Sequence, residues 1–191
     1  MNGIGAYHNT YFNKHITMKI YYDRLSRTLH WFMAIVIIYA TVAGYMMHLT
    51  IENYPAVFQF LSILNMSMAT LITPLFLVRW WWRYLRAPIP AEQVPHHNVA
   101  KMVHSIIYFM MFCVLFSGFL MLQHEYSFFW LYTVPNPISS KEINEFFFIA
   151  HRICCILLAI LVILHASAAL YHHYVRHNRI LYRMLGPKSG G

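Results

Sequence analysis

The chain has 191 residues, of which 59% are hydrophobic and only 10% are charged. A soluble globular domain carries roughly 25% charged residues, so this composition excludes an ordinary soluble domain. The formal net charge is +8, which raises the question of nucleic-acid binding. The distribution of the basic residues along the chain argues against it, as the order of the apolar stretches makes clear.

Four uncharged apolar stretches each reach about the ~20 residues that a membrane-spanning helix needs. They cover residues 29–47, 57–78, 102–122 and 153–175. We predict an all-α membrane protein, a bundle of four transmembrane helices that forms one domain over residues 21–184. Residues 1–20 are a polar leader that we expect to be flexible and dispensable, with Met18 as an alternative start, and residues 185–191 are a tail.

The first two spans form the first half of the bundle. Span one begins after Arg24 and Arg27, with His30 about one turn inside, and runs to His48. Span two ends at Arg79 and three consecutive tryptophans, an aromatic and basic anchor of the kind found at membrane interfaces. Pro74 is expected to bend span two, because proline removes a helix hydrogen bond.

Span three contains His104 and Gly118, and a glycine there permits close approach of another helix. The loop over residues 123–146 is the longest outer connection, and its segment 128–130 (Phe-Phe-Trp) is expected to lie against the membrane surface. Residues 139–142 (Ser-Ser-Lys-Glu) predict a helix cap leading into span four. The three cysteines all fall in predicted spans and are expected to pack as small apolar residues.

The basic residues lie on one side of the predicted bundle. Twelve of the fourteen precede span one, connect spans two and three, or follow span four. The positive-inside rule then places both termini in the cytoplasm. This basic surface is expected to meet anionic lipid headgroups, and we expect no nucleic-acid partner.

Span four carries the chemistry-bearing pattern, with histidines at 151, 165 and 172. Steps of 14 and 7 residues keep all three on one helix face, and 14 residues at ~1.5 Å per residue separate the first two by about 21 Å. Ionisable groups at membrane depth are costly and are expected to face the bundle interior. Because imidazole binds haem iron, a helix that holds one or two haems is the leading interpretation.

A haem with two axial imidazoles needs one histidine from each of two facing helices. His30 and His165 have matched depth near the inner end and form the predicted pair. His151 belongs to the outer half, and span two offers no histidine as its partner. The candidates left open there are Asn65, Met66, Met68 and, from span one, His48. His172, near the inner interface, is a candidate quinone contact, and His104 poses the same choice between such a role and plain interfacial solvation.

Several segments resemble the bacterial cytochrome b561 family, over about residues 21–184. The matching segments are Tyr-Asp-Arg-Leu at 22–25, Leu-His-Trp at 29–31, His-Ser-Ile-Ile-Tyr at 104–108, His151, and Leu-His-Ala-Ser-Ala-Ala-Leu-Tyr-His-His-Tyr at 164–174. The family is similar in fold to the cytochrome b subunits of formate dehydrogenase and nickel–iron hydrogenase. The resemblance implies a multi-pass protein of the bacterial inner membrane with two b haems that exchanges electrons with ubiquinone, and some members oxidise superoxide.

Carried over by position, the resemblance assigns His30 and His165 to the iron of one haem and His151 to the other. The remaining ligand of the family falls at Asn65, where this sequence departs from the pattern. Either a neighbouring methionine substitutes, or the second iron is five-coordinate, or the second site is empty. One haem b is therefore expected, and a second is left open.

Three functions compete at this point. The first is a membrane oxidoreductase that passes electrons between haem and quinone, with superoxide as a candidate donor. The second is an anchor subunit that accepts electrons from a partner dehydrogenase or hydrogenase. The third is a non-redox membrane protein whose histidines bind another metal or move a solute, and it predicts a colourless preparation.

Overall fold

The computed structural model describes residues 21–85, 97–136, 140–177 and 180–186. Its elements in chain order are α1 (Arg24–Thr50), α2 (Pro55–Leu85), α3 (His97–Leu120), β1 (Tyr126–Phe128), β2 (Tyr132–Val134), α4 (Lys141–Tyr174) and α5 (Ile180–Leu185). Helices α1 to α4 are each long and apolar enough to cross a membrane. The prediction of a four-helix membrane bundle is confirmed. The predicted leader and residues 187–191 of the predicted tail lie outside the described residues.

Local chemistry explains where the helices begin. Asp23 caps α1, since its carboxylate accepts from the backbone N–H of Ser26 at 3.0 Å and from the Ser26 hydroxyl at 2.7 Å. Pro55 opens α2, a position where its missing N–H leaves no helix hydrogen bond unmade. Helix α4 begins at Lys141 after Ser140, as the predicted cap required, although the Ser140 side chain makes no capping hydrogen bond.

The bundle is built from two helix hairpins. Helix α1 packs along α2, and α3 packs along α4, whereas α2 and α3 approach each other only sparsely. One apolar layer, drawn from all four helices, joins the hairpins at mid-height; its members are Met33, Val36, Ile72, Phe76, Met111 and Leu158. On α4, Leu158 stands seven residues from His151 and seven from His165. The histidine levels therefore lie on either side of a buried, apolar central layer.

The outer connection is more ordered than a loop. Strands β1 and β2 form an antiparallel hairpin in which Phe128 pairs with Tyr132. Phe129 and Trp130 at its turn adopt positive φ angles of 46° and 60°, as in a type I′ turn, and the Leu131 N–H closes this turn by donating to Phe128 O at 2.9 Å. The hairpin lies on α2, where the Phe129 N–H donates to Ser67 Oγ at 2.8 Å and Trp130 stacks on Phe60.

Two names for the ends of the bundle follow from these elements. The hairpin end is the end where the β-hairpin lies. The terminal end is the end where α1 begins and α4 finishes. The short helix α5, which the sequence did not predict, folds back over the terminal end. There Tyr22 N–H donates to Arg183 O at 3.1 Å, and Trp31 Nε1 donates to Met184 O at 3.2 Å.

Candidate functional site

Three histidine rings from three helices meet near the terminal end. The ring centres of His30 on α1 and His165 on α4 are 6.5 Å apart. The ring of His104 on α3 is centred 5.1 Å from that of His165. All three side chains are half-buried. The sequence-predicted pair is thus brought together, and His104 joins it.

The spacing of His30 and His165 is that of two ligands on one metal. Two imidazoles bound from opposite sides, each with its nitrogen ~2.0 Å from the metal, have ring centres about 6.4 Å apart. The observed 6.5 Å agrees with this value. The rings also come from different hairpins, α1 of one and α4 of the other, where the backbones stay apart. A flat group held between the hairpins by these two rings fits the arrangement.

Arg79 on α2 belongs to this cluster, and sequence reasoning treated it only as a membrane anchor. Its Nη1 donates to Ser26 O at 2.8 Å, and its Nη2 donates to His30 Nδ1 at 3.2 Å. Its guanidinium also lies over the Tyr108 ring, 6.0 Å from the ring centre. An arginine that follows a span directly, one residue before an aromatic cluster, is the sequence signal that could have marked it.

His151 occupies a small notch between α3 and α4 in the half of the bundle nearer the hairpin end. Its Nδ1 lies 3.0 Å from Val114 O and 3.2 Å from Ser117 Oγ. A Cβ at Gly118 would lie 3.1 Å from His151 Cε1, so the absence of a side chain makes room for the ring. The predicted close approach at Gly118 therefore serves to seat His151.

The ring of His151 has one defined orientation. A backbone carbonyl only accepts, so Nδ1 carries the proton and donates it to Val114 O. Nε2 then presents its lone pair, with the Cys155 thiol 3.4 Å away. Metal-bound histidines typically donate the other ring N–H to a carbonyl in this way, which fixes the ring and its tautomer. His151 is therefore oriented as a metal ligand is.

The candidate partners of His151 occupy different environments. Met68 packs against the central apolar layer, and Met66 is buried at 8% exposure. His48 is exposed in the last turn of α1. Asn65 is half-buried, and its Oδ1 is buried without a hydrogen-bond partner.

His172 and His173 lie at the end of α4. The His172 ring meets Tyr171, with ring centres 5.8 Å apart, and is half-buried. His173 contacts Tyr182 of α5 at 5.0 Å between ring centres, and its buried Nδ1 has no hydrogen-bond partner. The fold thus places His172 beside a neighbour on its own helix, and places His173 under the C-terminal helix.

Comparison with known proteins shows which protein family the sequence matches. A family model described as prokaryotic cytochrome b561 matches residues 21–187. A protein of Escherichia coli (strain K12) named cytochrome b561 homolog 2 is 25% identical over 175 residues, which cover 88% of this chain and 93% of that protein. The matched region contains all four membrane-spanning helices and every histidine of the candidate sites.

Proposed function

The chain belongs to the prokaryotic cytochrome b561 family, and on that premise we propose that it transfers electrons through haem b held by His30 and His165 and exchanges them with quinone. Family membership supports a haem b membrane electron-transfer protein. The identity of the haem ligands, the exchange with quinone and the direction of electron transfer go beyond family membership and are proposed here. The observation that carries it is the 6.5 Å spacing between the rings of His30 and His165.

The residues around this pair suit the haem. When bound, haem b supplies a one-electron iron couple whose potential depends on its axial ligands and surroundings. His30 and His165 would hold the iron, and the buried apolar layer with Leu158 and Phe76 lies next to this level along the helices and would exclude water from that side. Neither ring needs a negatively charged partner, because neutral imidazole is the ligand form.

Arg79 supports the proposal through its charge. A guanidinium only donates, so its contact makes His30 Nδ1 an acceptor in the present arrangement. Iron binding through Nε2 would require the proton on Nδ1, so Arg79 would have to release this nitrogen. Its guanidinium would then be available to pair with a carboxylate of the haem, a partner that arginine binds strongly. Arg79 thus links haem binding to the hydrogen bonding of His30.

His151 is the proposed ligand of a second haem. Its Nδ1–H is held by Val114 O, and its Nε2 would bind the iron once the Cys155 thiol, 3.4 Å away, turns aside. The 14 residues between His151 and His165 place the two levels about 21 Å apart along α4. Two such levels would span most of the hydrocarbon core.

Quinone exchange is proposed at the terminal end, near His172. An imidazole there can donate a hydrogen bond to a quinone oxygen. The positive-inside rule puts this end in the cytoplasm, with the protein in the bacterial inner membrane. Superoxide arriving at the hairpin end is the candidate electron donor.

Haem content and spectra test the central claim. The purified protein should show a reduced-minus-oxidised band of a six-coordinate b-type haem. His165→Ala should remove that haem, and His48→Ala, which changes an exposed histidine on α1, should leave it. A colourless preparation, or an unchanged six-coordinate spectrum in His165→Ala, would refute the ligand assignment.

A second measurement concerns the electron donor and acceptor. The isolated haem protein should reduce a soluble ubiquinone analogue when superoxide is generated, and His172→Gln should slow this reaction without changing haem content. If the protein is inactive alone and purifies with a dehydrogenase or hydrogenase, it is instead the anchor subunit of that complex. That alternative is motivated by the bundle itself, because most of the residues that the structure describes belong to its four long helices.

A further inference from the structure

Helix α2 shares the central apolar layer with α4, the helix that carries His151. Over its described length, residues 55–85, α2 contains no histidine. Asn65 stands fourteen residues from Arg79, and His151 stands fourteen residues from His165. Arg79 of α2 bonds His30, whose ring meets that of His165 on α4, so Arg79 and His165 lie at the same level of the bundle. Fourteen residues from that level toward the hairpin end, α2 reaches Asn65 and α4 reaches His151, which places these two residues at one level.

Asn65 is suited to face a ligand rather than to be one. Its Oδ1 is buried and has no partner, which is costly unless something else occupies the space beside it. Amide oxygens are hard ligands that suit calcium and magnesium better than haem iron. The amide does offer both a hydrogen-bond donor and an acceptor to a small polar molecule.

Other side chains do not fill that position. Met68 packs against the central apolar layer, and Met66, two residues earlier in the chain, is buried. Cys155 lies near His151 Nε2, but it is four residues along the same helix face and approaches from the same side as His151. It therefore cannot occupy the axial position opposite His151.

We propose that haem bound at His151 has this histidine as its single protein ligand, and that the opposite axial position, beside Asn65, binds a small neutral diatomic molecule. The polarity and donors on that side of a haem decide whether it binds such a ligand or only carries electrons. A diatomic molecule only accepts, so the Asn65 amide supplies the donor by turning through 180°, which brings its N–H to the position that the unpartnered Oδ1 holds here. The inference rests on the part of the proposed function that places haem at His151, and it is independent of the haem at His30 and His165.

Carbon monoxide is the probe that tests this inference. The purified, reduced, full-length protein should bind carbon monoxide at one haem per polypeptide, seen as a shifted absorption band, while the six-coordinate haem stays unchanged. His151→Ala should remove the carbon monoxide signal and leave the six-coordinate haem. Asn65→Ala should keep the signal and weaken binding by roughly 2- to 10-fold, as expected for the loss of one hydrogen bond.

A substitution that fills the position opposite His151 with a ligating side chain gives a sharper test. Asn65→His should abolish carbon monoxide binding and convert the second haem to a six-coordinate, low-spin state by electron paramagnetic resonance. Met68→Leu, a change of similar volume in the neighbouring turn, should leave carbon monoxide binding intact. The six-coordinate haem serves as the folding control in every variant. If Asn65→His loses that haem, Asn65→Met provides a second side chain that can fill the position opposite His151.

Three results would overturn the inference. They are a two-haem protein that binds no carbon monoxide, a folded Asn65→His protein that binds it as the parent does, and a protein whose haem content is unchanged by His151→Ala. The last of these leaves the haem at His30 and His165 standing. Loss of that haem would instead appear as the missing six-coordinate band in the parent protein.

Discussion

Gly118 provides a direct test of how the notch seats His151. A Cβ added there would lie 3.1 Å from His151 Cε1 and 3.4 Å from Nδ1. Carbon atoms in ordinary contact are about 3.5 to 4.0 Å apart, so alanine would push the ring by roughly half an ångström and valine by more. The same push would stretch the 3.0 Å contact between Nδ1 and Val114 O.

The expected cost falls on ligand binding at His151. Overpacking of this kind typically costs about 1–3 kcal/mol, and each ~1.4 kcal/mol is a tenfold change in an equilibrium constant. We therefore expect Gly118→Val to weaken haem binding at His151 by roughly 10-fold or more, with Gly118→Ala between it and the parent. The haem at His30 and His165, about 21 Å away along α4, should be unaffected.

Haem titration of the apoprotein, followed at the absorption bands of the two haems, measures this effect. Gly44→Ala is the matched control, because a Cβ there meets nothing within 4 Å. Thermal unfolding followed by circular dichroism separates a lost ligand site from a lost fold. If Gly118→Val binds the second haem with parental affinity, His151 does not bind it from the notch, and the reasoning fails.

Further expectations concern the terminal end and its caps. Arg79→Gln should weaken haem binding and shift the midpoint potential of the His30 haem, measured by redox titration, whereas Arg79→Lys should restore part of the effect; an unshifted potential would contradict the proposed carboxylate pairing. Gly186→Ala should loosen α5 and increase proteolysis there, because Gly186 has a φ of 88° and its Cβ would overlap the Arg27 guanidinium. Asp23→Ala should cost about 1 kcal/mol of stability through the lost cap of α1. Partial burial acts to raise the pKa of Asp23, but its hydrogen bonds outweigh this and hold the pKa below its ordinary value, so the cap is complete above that value and is lost as the pH falls through the lowered pKa. The stability difference between the parent and Asp23→Ala should therefore shrink in acid, and a difference that is the same at neutral and acidic pH would refute this assignment.

The histidines show which features of the site can be predicted from their spacing in the sequence. The depth of His30 and His165 follows from their positions in apolar runs, because a helix rises by a constant amount per residue. Their meeting across the two hairpins was a prediction of that argument, and the ring spacing agrees with it. His104 was left open, since spacing along one helix says nothing about which neighbouring helix its ring will meet.

The outer connection was only partly foreseen. Its aromatic segment was predicted to lie against the membrane surface, and this stays a prediction. The strands of the hairpin were not predicted, because each is only three residues long and an apolar–polar–apolar stretch of that length does not distinguish a strand from a loop. The contact that anchors the hairpin joins Phe129 to Ser67, which are 62 residues apart. Short strands are determined by such distant contacts rather than by their own propensity.

By itself, the sequence determined the membrane class of this protein, its four spans, the position of each histidine along its span and its family. These properties depend on length, apolar composition and spacing, all of which are local quantities. Only the tertiary structure decided that Arg79 bonds His30, that Gly118 and Val114 orient His151, and that α5 closes over the terminal end. These contacts join residues far apart in the chain, and they arise only when helices pack against one another at particular rotations, which no single helix specifies.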